Sequence, residues 1–163
     1  MSAASRPLVS VVIVTYDSAA VLPGCLESLE ATAEVEIECV VVDNASADDS
    51  AAIARRAGAT VIENERNEGF GRACNRGAAA ARGEVIVLLN PDTTVTSDWL
   101  AILLDHLAVH PDIAVLCPTV VAPGTEAPLR PFLEDCAALP GSAMVIPRAA
   151  RDRLGGFDEE IFL

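Results

Sequence analysis

Short apolar runs rich in Val, Ile and Leu recur along the chain, and polar or glycine-containing stretches separate them. The run at residues 85–89 (VIVLL) is uninterrupted, which is typical of a strand buried on both faces of a sheet. Pro91 has no N–H for a ladder hydrogen bond, so this strand is expected to end before it. Similar runs predict further strands at residues 8–15, 37–42, 60–63, 113–121 and 141–146.

Apolar residues at helical spacing separate most of these predicted strands. One stretch places Trp99, Leu100, Leu103 and Leu107 on a single face, the pattern of a helix that packs on a core. Pro111 is expected to end that helix, because proline cannot continue the hydrogen-bond ladder. The spacing predicts helices at residues 19–31, 46–56, 67–82, 96–111 and 147–155.

Several helix boundaries are predicted from capping chemistry. Ser46 is predicted to cap the second helix, since a serine hydroxyl can accept a hydrogen bond from the first turn. Gly83 is predicted to end the third helix, because glycine readily adopts the backbone that stops a helix. Thr96 or Ser97 is predicted to cap the fourth helix, and Pro147 to occupy the first position of the fifth.

The alternation of strand and helix predicts an α/β fold with a mostly parallel sheet and helices on both faces. The length of 163 residues is enough for one domain with a proper core. We predict a single domain over residues 8–163, preceded by a flexible N-terminus at residues 1–7. Residues 123–140 contain four prolines and are predicted to be irregular.

Composition narrows the classes of partner. All 11 basic residues are arginine, and 24 acidic residues give a net charge of −13, which disfavours nucleic acid and anionic membranes. The five cysteines lie among apolar neighbours without a CxxC pair, which favours buried thiols in a reducing compartment. No run approaches the roughly 20 apolar residues of a membrane span, and no signal peptide is evident. We therefore expect a cytoplasmic location.

Polar residues cluster in the loops that follow four predicted parallel strands, at the edge where open α/β sheets bind ligands. Tyr16 could stack on a nucleobase and Asp43 could accept its ring N–H. The glycines of the third loop leave N–H groups free for phosphate, with Arg72 one turn into the helix. Asp92 could hold a divalent cation against a diphosphate. The four loops are residues 15–17, 43–46, 64–71 and 90–92.

Each of these candidate site residues also has a purely structural interpretation. Asp43 and Asp92 are also ordinary turn residues, and Arg72 could be a solvated surface charge. The Gly69-x-Gly71 pair resembles part of a dinucleotide-binding fingerprint, but the third glycine is absent and the pair does not follow the first strand. A dinucleotide-dependent oxidoreductase is therefore the distant alternative.

Five segments in order nevertheless resemble the family 2 glycosyltransferases of the GT-A fold, and most of all the rhamnosyltransferase-like branch. The likeness covers residues 7–163, essentially the whole chain. Each segment alone is weak evidence, whereas the ordered set is specific. The segments are VSVVIVTYDS, VVDNAS, NEGFGRACNRG, LLNPDT and GGFDE.

The resemblance implies roles for individual residues. Asp43 matches the acid that reads the nucleobase, and Asp92 matches the ligand of a metal ion, Mg²⁺ or Mn²⁺. Asp158 falls in the segment on the acceptor side and is the catalytic candidate within the chain. The residues implied or proposed to contact the donor nucleotide are Thr15, Tyr16, Asp17, Asp43, Ser46, Asn67, Gly69, Arg72, Asn75 and Asn90.

The sequence departs from the family pattern at three places. Asp17 stands where the family more often has asparagine, and Asn90 replaces the first aspartate of the metal-binding motif. The family's general base corresponds to positions after Leu163, so the chain resembles a domain lacking the family's C-terminal segment. A truncated, noncatalytic nucleotide-sugar-binding module is therefore the first alternative.

The implied activity is transfer of a sugar, with inversion, from a nucleotide-diphospho-sugar to a hydroxyl acceptor. The donor would be linked to UDP, dTDP or GDP, and the acceptor would be a cell-surface polysaccharide or a lipid-linked glycan. A lipid-linked acceptor would bring the protein to the inner face of the membrane as a peripheral protein. Apolar surface exposed by a shortened C-terminus would favour a homodimer.

Overall fold

The computed structural model describes residues 6–122, 125 and 142–161. Within them, a five-stranded sheet has the order β3-β2-β1-β4-β5. The first four strands run parallel and β5 pairs with β4 in the antiparallel direction, which confirms the mostly parallel sheet. The strands are β1 (Val9–Thr15), β2 (Ile37–Asp43), β3 (Thr60–Glu63), β4 (Val85–Leu89) and β5 (Ala143–Pro147).

Helices cover both faces of this sheet, as the strand pattern predicts. Alternate residues of β1 point to opposite faces, so Val11 packs in one core cluster and Val12 in the other. The first cluster contains residues of α1 and α4, and the second contains residues of α3. The helices are α1 (Leu22–Glu30), α2 (Ser50–Arg56), α3 (Phe70–Ala80), α4 (Trp99–Val109) and α5 (Arg148–Leu154).

The register brings the ends of the parallel strands to one edge. Thr15 pairs with Asp43, and Asp43 pairs with Glu63, so the last residues of β1, β2 and β3 lie side by side. Every residue of β4 is buried, and Asn90 follows its last residue. The loops at residues 15–17, 43–46, 64–71 and 90–92 therefore leave the same edge, which we call the carboxyl edge.

The strand predicted at residues 113–121 is wrong. Leu116 makes only an isolated antiparallel bridge to Val145, with hydrogen bonds of 2.9 and 2.8 Å in the two directions. The next hydrogen-bonded pairs on either side of this bridge would need an N–H from Pro118 or from Pro147. Neither proline has one, so the ladder cannot extend.

Two predicted helix starts are also wrong. Helix α2 begins at Ser50, and Ser46 instead donates its hydroxyl to Asp43 Oδ1 at 2.6 Å. Helix α4 follows Asp98 as its N-cap residue, so neither Thr96 nor Ser97 caps it. The structure does confirm that α5 ends at Gly155, whose φ is +86°. Residues 1–5, 123–124 and 126–141, on which other predictions fall, lie outside the described residues.

Gly83 serves close packing instead of ending a helix. Helix α3 stops at Ala80, and the next residue, Ala81, is already extended. A Cβ atom on Gly83 would lie 2.6 Å from Ser10 N and 2.7 Å from Leu8 O. A glycine is therefore required here because the chain crosses directly over the start of β1. Pro147, predicted as the first residue of α5, is instead the last residue of β5.

Hydrogen bonds to the Glu38 carboxylate hold the chain near Gly83 against the start of β1. Glu38 accepts hydrogen bonds from Ser10 Oγ at 2.6 Å and from Arg82 N and Nε at 2.8 Å each. Burial by itself raises the pKa of Glu38, but the hydrogen bonds from Ser10 and Arg82 and the charge of Arg82 outweigh it and leave the pKa below its ordinary value. The network therefore favours the ionised carboxylate.

This lowered pKa predicts a pH dependence of stability. The network stabilises the fold fully above the unfolded-state pKa of about 4.3 and loses that stabilisation as the pH falls through the lower folded-state pKa. Between about pH 5 and pH 3, the free energy of unfolding of the wild type should fall more steeply than that of Glu38→Gln. Urea unfolding at several pH values measures both slopes. Parallel profiles for the two proteins would contradict the prediction.

The buried-thiol prediction is confirmed for Cys25 and Cys74. Burial raises the pKa of Cys25 to about 12, with the neighbouring Cys39 and Asp92 acting in the same direction. Burial also raises the pKa of Cys74 to about 12 and of Cys39 to about 11. These thiols are packed as small apolar groups. Among the described residues, no helix has the length and hydropathy to cross a bilayer.

Candidate functional site

Asp43 is the centre of a hydrogen-bonded cradle at the carboxyl edge. Asp43 is only 4% exposed to solvent. Oδ1 accepts hydrogen bonds from Thr15 Oγ1 at 3.0 Å and Ser46 Oγ at 2.6 Å, and Oδ2 accepts one from Ser46 N at 3.0 Å. Each carboxylate oxygen can accept two hydrogen bonds. The cradle thus orients the carboxylate and leaves Oδ2 with capacity for another donor.

The first loop is locked onto this cradle. Asp17 N donates to Ser46 Oγ at 3.0 Å, and Ala47 N donates to Asp17 Oδ1 at 2.7 Å. Asp17 has a φ of +49° and Ala45 a φ of +65°, conformations that are uncommon for residues with a side chain. Such strained residues cluster at functional sites, where the surrounding bonds hold them. Beside them the Tyr16 side chain is open to solvent, at 53% exposure.

A second set of bonds joins the first loop to the start of α2. Ser18 N donates to the fully buried Ser50 Oγ at 2.9 Å, and Ala19 N donates to Asp48 Oδ2 at 2.8 Å. Hydrogen bonds from Ser50 and Ala19 lower the pKa of Asp48. The path of the loop after Tyr16 is therefore fixed before any ligand is present.

Asn44 ties the end of β2 to the third loop. Its Oδ1 accepts hydrogen bonds from Asn64 Nδ2 at 2.9 Å and Glu68 N at 3.0 Å. Its Nδ2 donates to Asn67 Oδ1 at 2.8 Å and to Gly69 O at 3.4 Å. The Asn44 side of these bonds is shielded from water, because the residue is only 2% exposed. Asn44 therefore sets the shape of the loop that leads into α3.

The third loop ends in a turn that needs glycine. Gly69 has a φ of +84° and directly precedes α3. Asn67 Oδ1 accepts the Gly69 N–H at 2.9 Å, which holds the turn. Gly71 has a different role, because a Cβ atom there would lie 3.2 Å from Phe157 Cβ. Packing therefore explains the second glycine of the Gly69-x-Gly71 pair without a dinucleotide.

Arg72 and Asn75 contact the C-terminal segment of the chain. Arg72 Nη2 donates to Glu159 O at 3.2 Å, and its Nε lies 3.5 Å from Glu159 Oε2. Asn75 Nδ2 donates to Phe157 O at 2.8 Å, and Phe157 N donates to Asn75 Oδ1 at 2.9 Å. Both residues were predicted on the donor side, and they bring the Gly156–Asp158 segment to the first turns of α3.

Asn90 and Asp92 lie at the end of β4. Asn90 N donates to Ser142 O at 3.0 Å, and Thr93 N donates to Asn90 O at 3.2 Å, so the turn around Pro91 is fixed. Asp92 is exposed beyond it, and its charge contributes to the raised pKa of the buried Cys25. Across the described residues, no group of three or more His, Cys, Asp and Glu side chains could hold a metal by itself.

This donor set fits a cation that is shared with a ligand. Mg²⁺ and similar ions usually take one or two carboxylates from the protein and complete their coordination with water and phosphate oxygens. Asp92 supplies one exposed carboxylate at the carboxyl edge. A closed structural metal site, by contrast, would need more protein ligands than Asp92 offers.

Eight of the residues predicted for the site form three groups. Thr15, Asp17, Asp43 and Ser46 share one network, Asn67 and Gly69 belong to the loop held by Asn44, and Arg72 and Asn75 contact residues 157 and 159. Asn90 and Asp92 lie apart from these groups at the end of β4, the Tyr16 side chain is open to solvent, and the sequence pattern gave no specific role to Asn44, Asn64, Ser50 or Glu159. The available signal for Asn44 was its place directly after Asp43, at the end of a parallel strand.

The sheet and its carboxyl edge define an α/β protein whose candidate site lies on the loops after β1, β2, β3 and β4. A family model described as Glycosyl transferase family 2 matches residues 10–152. The chain therefore belongs to glycosyl transferase family 2, which confirms the family predicted from the sequence.

Similar proteins agree with this assignment. The succinoglycan biosynthesis protein ExoO of Rhizobium meliloti (strain 1021) is 37% identical over 103 residues, which are 61% of this chain and 30% of ExoO. The mannosyltransferase PcManGT from Pyrobaculum calidifontis, in complex with GDP-Man and Mn²⁺, superposes with a TM-score of 0.81 at 24% identity. S. aureus TarS 1-349, in complex with UDP-GlcNAc, superposes with a TM-score of 0.75 at 23% identity.

The structural likeness confirms the GT-A-type fold. It covers 96% of this chain and 49% of the PcManGT chain, and 92% of this chain and 48% of the TarS chain. The chain thus spans about half of each solved chain, and 30% of ExoO.

Proposed function

We propose that the carboxyl edge binds a nucleotide-diphospho-sugar and that the protein transfers its sugar to a hydroxyl acceptor with inversion. One observation carries the proposal. A single edge of the sheet holds both the cradled carboxylate of Asp43 and the exposed carboxylate of Asp92. The first suits a nucleobase N–H and the second suits a cation beside a diphosphate. PcManGT and TarS, similar in fold, were solved with GDP-Man and UDP-GlcNAc.

The nucleoside would lie against the first two loops. Tyr16 presents an exposed ring on which a base can stack. Asp43 would accept a ring N–H at Oδ2, since Thr15 and Ser46 already fix the orientation of the carboxylate. Because the cradle is formed before binding, little side-chain ordering opposes association. Uracil, thymine and guanine each carry such a ring N–H, which accommodates donors linked to UDP, dTDP or GDP.

The diphosphate would lie between the third loop and Asp92. The loop at Asn67 and Gly69 leads into α3, whose first N–H groups carry a partial positive charge that favours an anion. Asp92 would hold a divalent cation, Mg²⁺ or Mn²⁺, and Asn90 would lie beside the donor. When bound, such a cation neutralises charge on the departing diphosphate. Arg72 would add a positive charge near the start of α3, on a side chain now paired with Glu159.

The acceptor would approach from the side of the Gly156–Asp158 segment. Asp158 is exposed, and its Oδ1 accepts the N–H of Glu160 at 2.9 Å, which fixes the orientation of the carboxylate. We assign Asp158 as the group that accepts the proton of the acceptor hydroxyl, while the hydroxyl oxygen attacks the anomeric carbon and the bond to the diphosphate breaks. A polysaccharide or lipid-linked glycan would fit this role.

An assay of transfer tests the proposed function. The chain is incubated with Mn²⁺, UDP-, dTDP- and GDP-linked sugars and a panel of glycan and polyprenyl-linked acceptors. We expect release of one nucleoside diphosphate together with a glycoside of inverted anomeric configuration, read by NMR. Donor binding without transfer or hydrolysis would instead leave a binding module, and a product with retained configuration would contradict the mechanism.

A further inference from the structure

The side chain of Asn75 holds a distant piece of backbone. Its amide makes a pair of hydrogen bonds with Phe157, one to the carbonyl oxygen at 2.8 Å and one from the N–H at 2.9 Å. The two residues are 82 positions apart in sequence. An amide is the side chain suited to this task, because it offers one donor and one acceptor side by side. We call residues 156–160 the docked segment.

The contact between the docked segment and Asn75 is too close to admit a side chain at position 156. Gly156 has a φ of +85°, and a Cβ atom there would lie 2.5 Å from Asn75 Oδ1. Phe157 packs edge-on against Phe70, with ring centroids 6.1 Å apart, and sits over Gly71. The backbone of α3 and the docked segment therefore approach closely because glycine stands on both sides.

The same amide also reaches a carboxylate of the docked segment. Asn75 Nδ2 lies 3.2 Å from Glu159 Oε1, and Arg72 Nε lies 3.5 Å from Glu159 Oε2. Arg72 and Asn75 thus both contact Glu159 of the docked segment. An amide already engaged with three protein oxygen or nitrogen atoms is poorly placed to bind a phosphate as well.

We propose that Asn75 is a positioning residue that sets the docked segment against α3, and is not a ligand of the donor. Helix α3 starts at the loop proposed to hold the diphosphate, so a segment fixed to its first turns keeps a constant distance from that loop. Asp158 follows Phe157 directly, and Asn75 therefore controls where this carboxylate stands. This inference rests on the proposed function, because it assigns the docked segment to the acceptor side of the same site.

Two pairs of variants separate positioning from donor binding. Asn75→Ala removes both bonds to Phe157, and Asn75→Asp keeps an acceptor for the N–H but sets a carboxylate against the Phe157 carbonyl and Glu159. Gly156→Ala disturbs the same contact from the opposite side. Gly155→Ala is its matched control, since Gly155 has nearly the same φ of +86° but nothing within 4 Å of a Cβ atom.

Hydrogen exchange at the Phe157 amide reads the contact directly. We expect the Phe157 amide hydrogen to exchange about tenfold faster in Asn75→Ala than in the wild type, as for the loss of one hydrogen bond. The exchange rate in Asn75→Asp should equal or exceed the rate in Asn75→Ala. The rate in Gly156→Ala should be about tenfold higher than the rate in Gly155→Ala. Nucleoside diphosphate affinity with Mn²⁺ should stay within about twofold, while the kcat of transfer falls and the donor KM does not change.

The outcomes distinguish this inference from the proposed function. Wild-type protein that binds no nucleoside diphosphate would refute the proposed function, whatever the exchange rates are. Wild-type binding with unchanged exchange in Asn75→Ala would overturn the assignment of Asn75. So would a loss of nucleotide affinity in Asn75→Ala that Gly156→Ala does not share, because that pattern marks a direct donor ligand.

Discussion

An Asn44→Ala variant should lose about 2–4 kcal/mol of unfolding free energy. The alanine cannot replace the bonds that Asn44 makes with Asn64, Asn67, Glu68 and Gly69. Because Asn44, Asn64 and Gly69 are all buried, water cannot easily replace the bonds among them. Buried groups left unpaired cost more than the bonds themselves contribute. The third loop should therefore loosen along with the fold.

The chemistry of the replacement sharpens this prediction. Asn44→Asp keeps the acceptor for Asn64 and Glu68 N but sets an oxygen against the oxygens of Asn67 and Gly69. It should therefore destabilise the protein at least as much as alanine, although its side chain has nearly the same size. Glu65→Ala, an exposed position in the same loop, is the control and should change stability by less than about 0.5 kcal/mol.

Urea unfolding measures these free energies. Titration with a nucleoside diphosphate measures the binding affinity, which reports whether the third loop keeps its shape. Affinity for the diphosphate should fall by about tenfold or more in Asn44→Ala, corresponding to roughly 1.4 kcal/mol. A stable Asn44→Asp protein with wild-type affinity would show that the amide hydrogen bonds do not hold the loop.

Substitution of Asp92 should have the second large effect, a loss of metal-dependent affinity for a nucleoside diphosphate. Asp92→Ala and Asp92→Asn should lose the part of the nucleoside diphosphate affinity that depends on Mn²⁺, by about a hundredfold, or roughly 3 kcal/mol. Asparagine has nearly the same shape but no charge, so equal losses in both variants would identify the charge as the cause. Binding of the nucleoside without phosphates should not change, because Asp43 and Tyr16 would still hold the base.

The control for Asp92 is another exposed acid of the same region. Asp98→Asn removes one negative charge near the start of α4 and should leave the metal dependence intact. Calorimetry with Mn²⁺ and with EDTA separates the metal-dependent part in each protein. If Asp92→Ala keeps the full metal dependence, another group binds the cation.

The inner strands of the sheet were predictable because β1, β2 and β4 are largely buried runs of apolar residues. β3 and β4 agree with the predicted bounds residue for residue, and Asp43 and Asn90 fall at or just after strand ends as the pattern indicated. The predicted strand at residues 113–121 failed for a reason that needs the pairing partner. Pro118 is visible in the sequence, but the sequence does not say that Leu116 would meet Val145 next to Pro147.

The internal bonds of the site were less predictable. Ser46 has the chemistry of a helix cap, and only the position of the Asp43 carboxylate shows that its hydroxyl is engaged elsewhere. The family resemblance implies that Asn75 lies beside the donor phosphates, and this stays a prediction. Its hydrogen-bond partner in the structure, Phe157, is 82 residues away, and no local pattern reports such a contact. Periodicity describes which face is buried, whereas polar pairing depends on the assembled tertiary structure.

Calorimetric titration of the wild-type chain with UDP, dTDP and GDP, in Mn²⁺ and in EDTA, tests the central claim that the carboxyl edge is a donor site. We predict that one of these diphosphates binds in Mn²⁺ and binds at least about tenfold more weakly in EDTA, a difference of roughly 1.4 kcal/mol. Absence of binding for all three, or equal affinity with and without the metal, would contradict the claim.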